Sequence, residues 1–162
     1  IVYHGSIEII KNPDVMHSKK YLDFGQGFYL TTFENQAKKW AARKGMRQKK
    51  TPIVNVYEMS EEWQNLKVLS FEKENEEWLD FVCACRKGEP LNKEYDIIIG
   101  NVADDDVFKT VDMYFRGLWD KKKVLSELRY YKMNNQICIV NQETLNRLLT
   151  YQNSYEVKCD GR

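Results

Sequence analysis

Residues 23–29 read Asp-Phe-Gly-Gln-Gly-Phe-Tyr, and the two glycines lead into a predicted β-strand over residues 27–32. Glycine permits a tight backbone path before such a strand. Because strand side chains alternate between faces, Phe28 and Tyr29 should point in opposite directions. One ring is then expected in the core, and the other can meet a planar ligand. The alternative is a glycine-rich turn before a strand whose two rings are both buried.

A second short motif, Tyr-His-Gly-Ser at residues 3–6, ends a predicted apolar strand over residues 1–3. A histidine at a strand end can donate or accept a hydrogen bond at a ligand hydroxyl. Gly5 would let a ligand amide approach the backbone closely, and Ser6 adds a hydroxyl group. The alternative is that His4 is a surface histidine before an ordinary turn.

The rest of the chain predicts strands and helices without regular βα alternation. Strands are expected over residues 53–59, 66–71, 95–99, 136–140 and 155–159, and helices over residues 34–46, 74–86, 107–118, 124–128 and 143–149. This order indicates one α+β domain over residues 1–162 and not a doubly wound sheet. Neither the GxGxxG fingerprint nor the phosphate loop is present, so a nucleotide would have to bind by other means.

Composition places the chain among folded globular proteins but says little about partners. It has 162 residues, 43% of them hydrophobic, with a net charge of +1. No apolar run approaches the roughly 20 residues of a membrane span, and no export signal is visible. The four cysteines are expected to be reduced and buried, which favours the cytoplasm. Cys83 and Cys85 are too close for the usual zinc spacing, so no metal is expected.

The two motifs, taken in order, resemble the poly(ADP-ribose)-polymerase branch of the ADP-ribosyltransferase superfamily. That branch has a His–Tyr–Glu triad carried by an HGS motif, an FGxGxY motif and a late strand. The chain also looks like a smaller bacterial family within the superfamily. The segments that carry this resemblance are residues 3–6, 21–32, 36–41, 103–106 and 134–138. They are spread over most of the chain.

The resemblance implies a split, mostly antiparallel β-sheet core with flanking helices, and NAD as substrate. His4 would bond the adenosine ribose, and Gly5 would hold the nicotinamide amide through its backbone. Ser6 would touch the nicotinamide-side ribose or amide, with Gly27 also in the NAD-binding set. Tyr29 would stack on nicotinamide. Trp40 would add a second aromatic wall, although a core tryptophan on an apolar helix face is the alternative.

The triad position that carries glutamate in the family is Gln136 in this sequence. The implied catalytic set is therefore His4, Tyr29 and Gln136. A glutamine can accept a hydrogen bond from a ribose hydroxyl, but it brings no charge and cannot act as a general base. Chain elongation is not expected, whereas transfer of a single ADP-ribose unit is. Binding of NAD without turnover is the alternative.

Three groups of acidic residues are candidates to replace the missing carboxylate. They are residues 104–106, which are all aspartate, Glu143 and Asp23. Aspartates before a helix and Glu143 near a helix N-terminus are equally explained by capping and the helix dipole. A basic run over residues 38–50 is either a solvated helix face or a contact surface for pyrophosphate, nucleic acid or an acidic protein.

The sequence thus predicts a cytoplasmic mono-ADP-ribosyltransferase that uses NAD and modifies a protein or nucleic acid. A bacterial toxin–antitoxin or phage-defence role fits the small size. The first alternative is a degenerate module that binds NAD or ADP-ribose, and the second is an interaction domain without a nucleotide. No membrane partner is expected.

Overall fold

The computed structural model describes residues 1–18, 22–73, 75–102, 105–128 and 134–158. Tyr21, Ala103 and Asp104, which belong to the segments of the resemblance, and Cys159, the last of the four cysteines, lie outside the described residues. The side chains of Asp105 and Asp106 are also outside them. Among the described residues, no helix combines the length and apolar character needed to cross a membrane.

The chain begins with two strands that belong to different sheets. Strand β1 covers Val2–Ser6 and strand β2 covers Phe28–Leu30. A short 3-10 helix at Val15–His17 lies in the connection between them. The predicted second strand is confirmed, but the first is longer than predicted. His4 lies inside β1 and not at its end, because hydrogen-bonded pairing with the third strand continues to Ser6.

The remaining elements follow in a mixed order. The strands are β3 (Ile53–Met59), β4 (Val68–Ser70), β5 (Ile97–Gly100), β6 (Gln136–Ile139) and β7 (Leu149–Glu156). The helices are α1 (Glu34–Gln48), α2 (Glu76–Arg86), α3 (Asp105–Phe115), α4 (Lys121–Leu128) and α5 (Gln142–Leu148).

The described strands form two sheets, a three-stranded one ordered β1-β3-β7 and a four-stranded one ordered β2-β6-β5-β4. The three-stranded sheet is antiparallel throughout. In the four-stranded sheet β4 and β5 are parallel and the other pairs are antiparallel. The predicted α+β class with mostly antiparallel sheets is therefore confirmed.

Strand β7 differs most from its prediction. It begins at Leu149, directly where α5 ends, and not near residue 155. Leu149 pairs with Met59 and Glu156 pairs with Ile53, so β7 is paired with β3 from one end of β3 to the other. The polar residues of β7 gave no alternation from which this pairing could be predicted.

Three apolar clusters hold the elements together. Helix α1 packs Ala37 and Ala41 onto Val54 and Val56 of the first sheet. Helix α2 packs Trp78, Leu79 and Val82 onto the second sheet together with Phe24. A third cluster joins the two sheets, with Phe28 and Leu30 from β2 and Tyr57 from β3. Complete burial of the Val, Leu and Phe side chains in these clusters contributes roughly 1.5–3 kcal/mol each.

Candidate functional site

The two sheets meet where β1 approaches β2. The amide of Tyr3 donates to the carbonyl of Thr31 at 2.9 Å, and the amide of Thr31 donates to the carbonyl of Tyr3 at 3.0 Å. Within the part of the chain that the structure describes, this is the one bridge between the two strands. In a continued antiparallel ladder, Gly5 and Tyr29 would form the next hydrogen-bonded pair. The ladder stops before that pair.

The imidazole of His4 occupies the position where the ladder stops. Its Nδ1 lies 2.6 Å from the carbonyl oxygen of Tyr29, and its ring stacks on Phe28 with 4.3 Å between centroids. Because a carbonyl can only accept, Nδ1 carries the proton and Nε2 of the neutral ring is a hydrogen-bond acceptor. Burial, with a smaller contribution from the charge of Lys44, lowers the pKa of His4 to about 3. The ring is therefore neutral at physiological pH.

Helix α1 approaches β1 so closely that position 5 has to be a glycine. A Cβ atom at this position would lie 2.2 Å from the carbonyl oxygen of Ala37 and 2.8 Å from the amide nitrogen of Ala41. The missing side chain thus makes room for the helix, which is a different reason from the ligand approach predicted above. The backbone groups of Gly5 point to the same strand edge as those of Tyr3, two residues earlier. Its carbonyl oxygen accepts a hydrogen bond from Lys44 Nζ at 3.2 Å.

Phe28 and Tyr29 point to opposite faces, as the alternation predicted. Phe28 is buried between the sheets, whereas Tyr29 is partly buried on the face that carries Phe24 and Cys138. The Tyr29 hydroxyl donates to the carbonyl of Gly25 at 2.5 Å and accepts from the amide of Phe24 at 3.0 Å. Burial and the neighbouring Cys138 and Asp23 raise the pKa of Tyr29 well above its usual value. Its hydroxyl is therefore bonded to the backbone of the loop at residues 23–27, which we call the glycine loop.

The other predicted NAD-contacting residues lie near these two strands. Ser6 is buried at the end of β1. Gly27 faces β6 so closely that a Cβ atom would lie 2.5 Å from Cys138 Sγ, and its amide donates to Ser18 Oγ at 3.0 Å. Trp40 is half-buried, and its Cβ lies 3.0 Å from the Cβ position built on Gly5. The Cβ atom of Trp40 thus lies beside Gly5 near the end of β1.

Gln136 begins β6 and is 4% exposed. Its Nε2 donates to Asp23 Oδ2 at 3.1 Å and to the carbonyl of Asn101 at 3.3 Å. Because Cys138 pairs with Tyr29, Gln136 lies two residues from that pair and on the same face of the sheet. The spacing along the strand is then roughly 7 Å.

Of the candidate carboxylates whose side chains the structure describes, Asp23 and Glu143, it is Asp23 that contacts Gln136. Its Oδ1 accepts from Arg86 Nε at 2.9 Å and from Nη2 of the same guanidinium in a shorter contact. Glu143 lies in α5, beyond the opposite end of β6, and its amide donates to the capping oxygen of Asn141. Asn141 is the cap, and Glu143 lies in the first turn of α5, where the helix dipole favours an acidic side chain.

The site has two parts, which we name the histidine side (His4, Gly5, Lys44 and the backbone of Tyr29) and the glutamine side (Gln136, Asp23, Arg86 and Asn101). Thr31 and Asn135 connect them. Thr31 pairs with Tyr3, and its Oγ1 donates to Asn135 Oδ1 at 2.8 Å, next to Gln136 in the chain. The fold thus brings the three predicted catalytic residues to one junction between the sheets.

Sequence reasoning missed Lys44, Arg86, Asn101 and Asn135 as parts of this junction. Lys44 was hidden within the basic run of α1, where its spacing does not distinguish it from its neighbours. Arg86 ends α2, 63 residues from Asp23, so no local pattern connects them. Asn135 was quoted only as the neighbour of Gln136, although its side chain holds Thr31 and the amide of Thr32.

Two further features surround the junction. A surface groove of about 380 Å³ lies against Phe28, whose ring also stacks on His4, and is lined by residues 8–12 with Asp14 and His17. The described residues contain no group of three or more His, Cys, Asp or Glu side chains placed to hold a metal ion.

The fold and the site together define the class of this protein. It is an α+β protein with two sheets and a junction that contains His4, Tyr29 and Gln136. Residues 1–151 match the family of proteins of unknown function DUF3990, and the chain belongs to that family. Searches of curated proteins and of solved structures gave no significant match.

Proposed function

We propose that the protein is an NAD-dependent mono-ADP-ribosyltransferase that releases nicotinamide and transfers ADP-ribose to a macromolecule. The observation that carries this proposal is the interrupted ladder between β1 and β2. Side chains of His4 and Lys44 bond the carbonyls of Tyr29 and Gly5, which a continued ladder would have paired with backbone amides. The amide groups of Gly5 and Tyr29 lie on the facing strand edges, at the motif positions of the resemblance.

The histidine side would bind the two ends of NAD. The Gly5 amide would donate to the nicotinamide carboxamide oxygen, and the nicotinamide ring would stack against the Tyr29 side chain. His4 Nε2, an acceptor in the neutral imidazole, would accept from a ribose hydroxyl. A protonated His4 would have no acceptor for that hydroxyl, so its lowered pKa supports this role.

The bond that breaks joins the ribose C1′ to the nicotinamide nitrogen. The bonding electron pair leaves with nicotinamide, which becomes neutral, while positive charge develops on the ribose as in glycosidase transition states. The carbonyl oxygen of Gln136 would accept a hydrogen bond from a ribose hydroxyl and fix the sugar. An acceptor nucleophile then bonds to C1′ and gives up its proton. Gln136 cannot take that proton, so the proposal stops at a single transferred unit.

The acceptor is proposed to approach over α1, which packs against Gly5. Residues 34–50 contain seven Lys and Arg residues against the single acid Glu34, in a chain of net charge +1. Such a local excess attracts polyanions and acidic surfaces. A cytoplasmic location belongs to the same proposal and is supported by the free thiols of Cys83, Cys85 and Cys138. A toxin or defence effector is the proposed biological setting.

A second candidate function is a module that binds NAD or ADP-ribose without turnover. It is favoured by one observation, the engagement of the Gln136 amide by Asp23 and Asn101. A glutamine held in this way can position a ribose but supplies no base. Both candidates require NAD binding at the histidine side, so only the fate of the glycosidic bond distinguishes them.

The test is incubation of the protein and a bacterial lysate with NAD labelled separately in the nicotinamide and in the adenylate. Transfer predicts released nicotinamide together with adenylate label that protease or nuclease removes from macromolecules. Saturable binding without nicotinamide release would support the module and contradict the transferase. The matched variants are Tyr29→Ala, which removes the stacking ring, and Tyr29→Phe, which keeps it. Equal NAD affinity of the Ala variant and the wild type would contradict the stacking role.

A further inference from the structure

Asp23, Arg86 and Gln136 form a buried cluster that connects the glycine loop, helix α2 and strand β6. Asp23 is 9% exposed and Gln136 is 4% exposed. Arg86 directs two nitrogens to one carboxylate oxygen of Asp23, and Gln136 Nε2 donates to the other oxygen at 3.1 Å. The carboxylate is thus engaged on both of its oxygens, by groups from distant parts of the sequence.

The charge of Asp23 decides how the Gln136 side chain is oriented. An ionised carboxylate accepts hydrogen bonds and donates none, so the amide end that faces it must be the NH₂ group. The same nitrogen donates to the carbonyl of Asn101, which uses its second proton. The carbonyl oxygen of Gln136 therefore faces away from Asp23 and is the acceptor that a sugar hydroxyl can use.

The same contact explains why a glutamine is suited to position 136. A glutamate there would place a second carboxylate within hydrogen-bond distance of Asp23, beside the guanidinium of Arg86. Two carboxylates that share one site cannot both ionise without strong repulsion. A neutral amide at position 136 leaves the carboxylate of Asp23 paired with the guanidinium of Arg86 and donates a directed hydrogen bond to its other oxygen.

We propose that Asp23, itself held by Arg86, positions Gln136 and directs its carbonyl oxygen toward the ribose, so that this pair takes the place of a single glutamate at position 136. This inference rests on the proposed function for its catalytic consequence, but the pairing of the two residues can be tested without NAD. Asp23 acts through Gln136 and is a positioning residue. A ribose hydroxyl bonded to a fixed Gln136 carbonyl would be held in the geometry in which nicotinamide leaves.

The first test measures the melting temperature of four variants at pH 7.5 and pH 5.0. They are Q136E, D23N, the double variant D23N/Q136E and the control Q152E, which adds the same charge at an exposed position of β7. At pH 7.5 we expect Q136E to lower the melting temperature by about 5 °C. At pH 5.0 the loss should shrink, because one carboxyl of the pair takes up a proton.

The double variant is expected to recover most of the loss at pH 7.5, because the amide introduced at position 23 can donate to the carboxylate introduced at position 136. Among the groups that interact electrostatically with Asp23 are Tyr29, Cys83 and Cys85. Burial raises the pKa of Cys83 to about 11 and that of Cys85 to about 12, and the pKa of Tyr29 is also raised. These three groups keep their protons between pH 5.0 and 7.5, so none of them contributes to the pH dependence of the recovery.

Equal melting temperatures of Q136E and Q152E at pH 7.5, with no recovery in the double variant, would overturn the pairing. If D23N does not fold, its comparison with the double variant decides the question. Restored folding in D23N/Q136E supports the pair, and failure of both contradicts it.

The second test measures nicotinamide release and NAD affinity separately. For D23N we expect release to slow by about 10- to 100-fold with NAD affinity changed less than about threefold. A D23N protein that folds and releases nicotinamide at the wild-type rate would overturn the catalytic part of this inference. If the wild type binds NAD but releases no nicotinamide, the proposed function fails and the catalytic part fails with it. The melting-temperature comparison then decides the pairing alone.

Discussion

The histidine side and the glutamine side of the site are built from different interactions. On the histidine side, a neutral imidazole and a lysine bond the backbone carbonyls of Tyr29 and Gly5. On the glutamine side, a buried carboxylate is held between a guanidinium and an amide. The first part rests on backbone geometry fixed by neighbouring strands, whereas the second rests on charge brought together over long sequence distances. This difference teaches that local motifs place residues at a strand edge, while the buried ion pair comes from residues outside the HGS motif.

The largest effect should come from crowding the histidine side. Gly5→Val would drive a side chain into Ala37 and Ala41 of α1, where even a Cβ atom lies 2.2 Å from a carbonyl oxygen. We expect a loss of about 3–4 kcal/mol in the free energy of unfolding, measured by urea denaturation. The contrasting variant is Gly117→Ala, where no heavy atom of the described residues other than its chain neighbours lies within 4 Å of the added Cβ, but φ is +74°. Its loss should be about 1 kcal/mol, and similar losses for both variants would contradict the crowding argument.

On the glutamine side, Asp23→Ala removes the carboxylate that Arg86 and Gln136 share. Because the pair is mostly buried, with side chains 11% and 14% exposed, we expect a loss of about 2–4 kcal/mol in unfolding free energy. The control is Lys121→Ala on the surface, which breaks ion pairs with Glu76 and Asp80. The exposed pairs should give no measurable change, since solvent screens them. A larger loss for Lys121→Ala than for Asp23→Ala would reverse the comparison.

Acidification should weaken the histidine side through His4. The pKa of His4 is about 3 in the folded protein and about 6.5 in the unfolded chain, so the unfolded state binds more protons between these values. The contribution to stability is complete above about pH 6.5 and is lost as the pH falls toward 3. The slope attributable to His4 is at most about 1.4 kcal/mol per pH unit.

The measurement is the pH dependence of the free energy of unfolding for the wild type and His4→Asn. Asparagine keeps a donor for the Tyr29 carbonyl and does not titrate. The difference between the two proteins should grow with increasing pH between 4 and 6.5. Parallel curves over this range would show that His4 is not held neutral by the fold.

The smallest effect is expected for Lys44→Met, which removes the hydrogen bond to the Gly5 carbonyl and keeps the aliphatic stem. The loss in unfolding free energy should be below about 1 kcal/mol. Because the charge of Lys44 is one cause of the lowered pKa of His4, the variant should also raise that pKa, measured by NMR titration of the ring. Lys39→Met, at an exposed position of the same helix, should change neither quantity.

Much of the fold could be predicted because its elements have strong local patterns. The alternation of residues 53–59 and the spacing of Ala37 and Ala41 predicted β3 and α1 closely. Phe28 and Tyr29 were correctly assigned to opposite faces, because two-residue periodicity is a property of any strand. Strand β7 and the extension of β1 through His4 were missed, since their partners on β3 decide where they begin and end.

By itself the sequence determined the α+β class, most of the element boundaries, and the positions His4, Gly5, Tyr29 and Gln136 as candidates for one site. Only the tertiary structure decided what surrounds them. Gln136 meets Asp23 across 113 residues, and Arg86 reaches the same carboxylate from α2. The physical reason is that strands and helices follow from periodicity within a few residues, whereas charge balance depends on which buried groups the fold brings within hydrogen-bond distance.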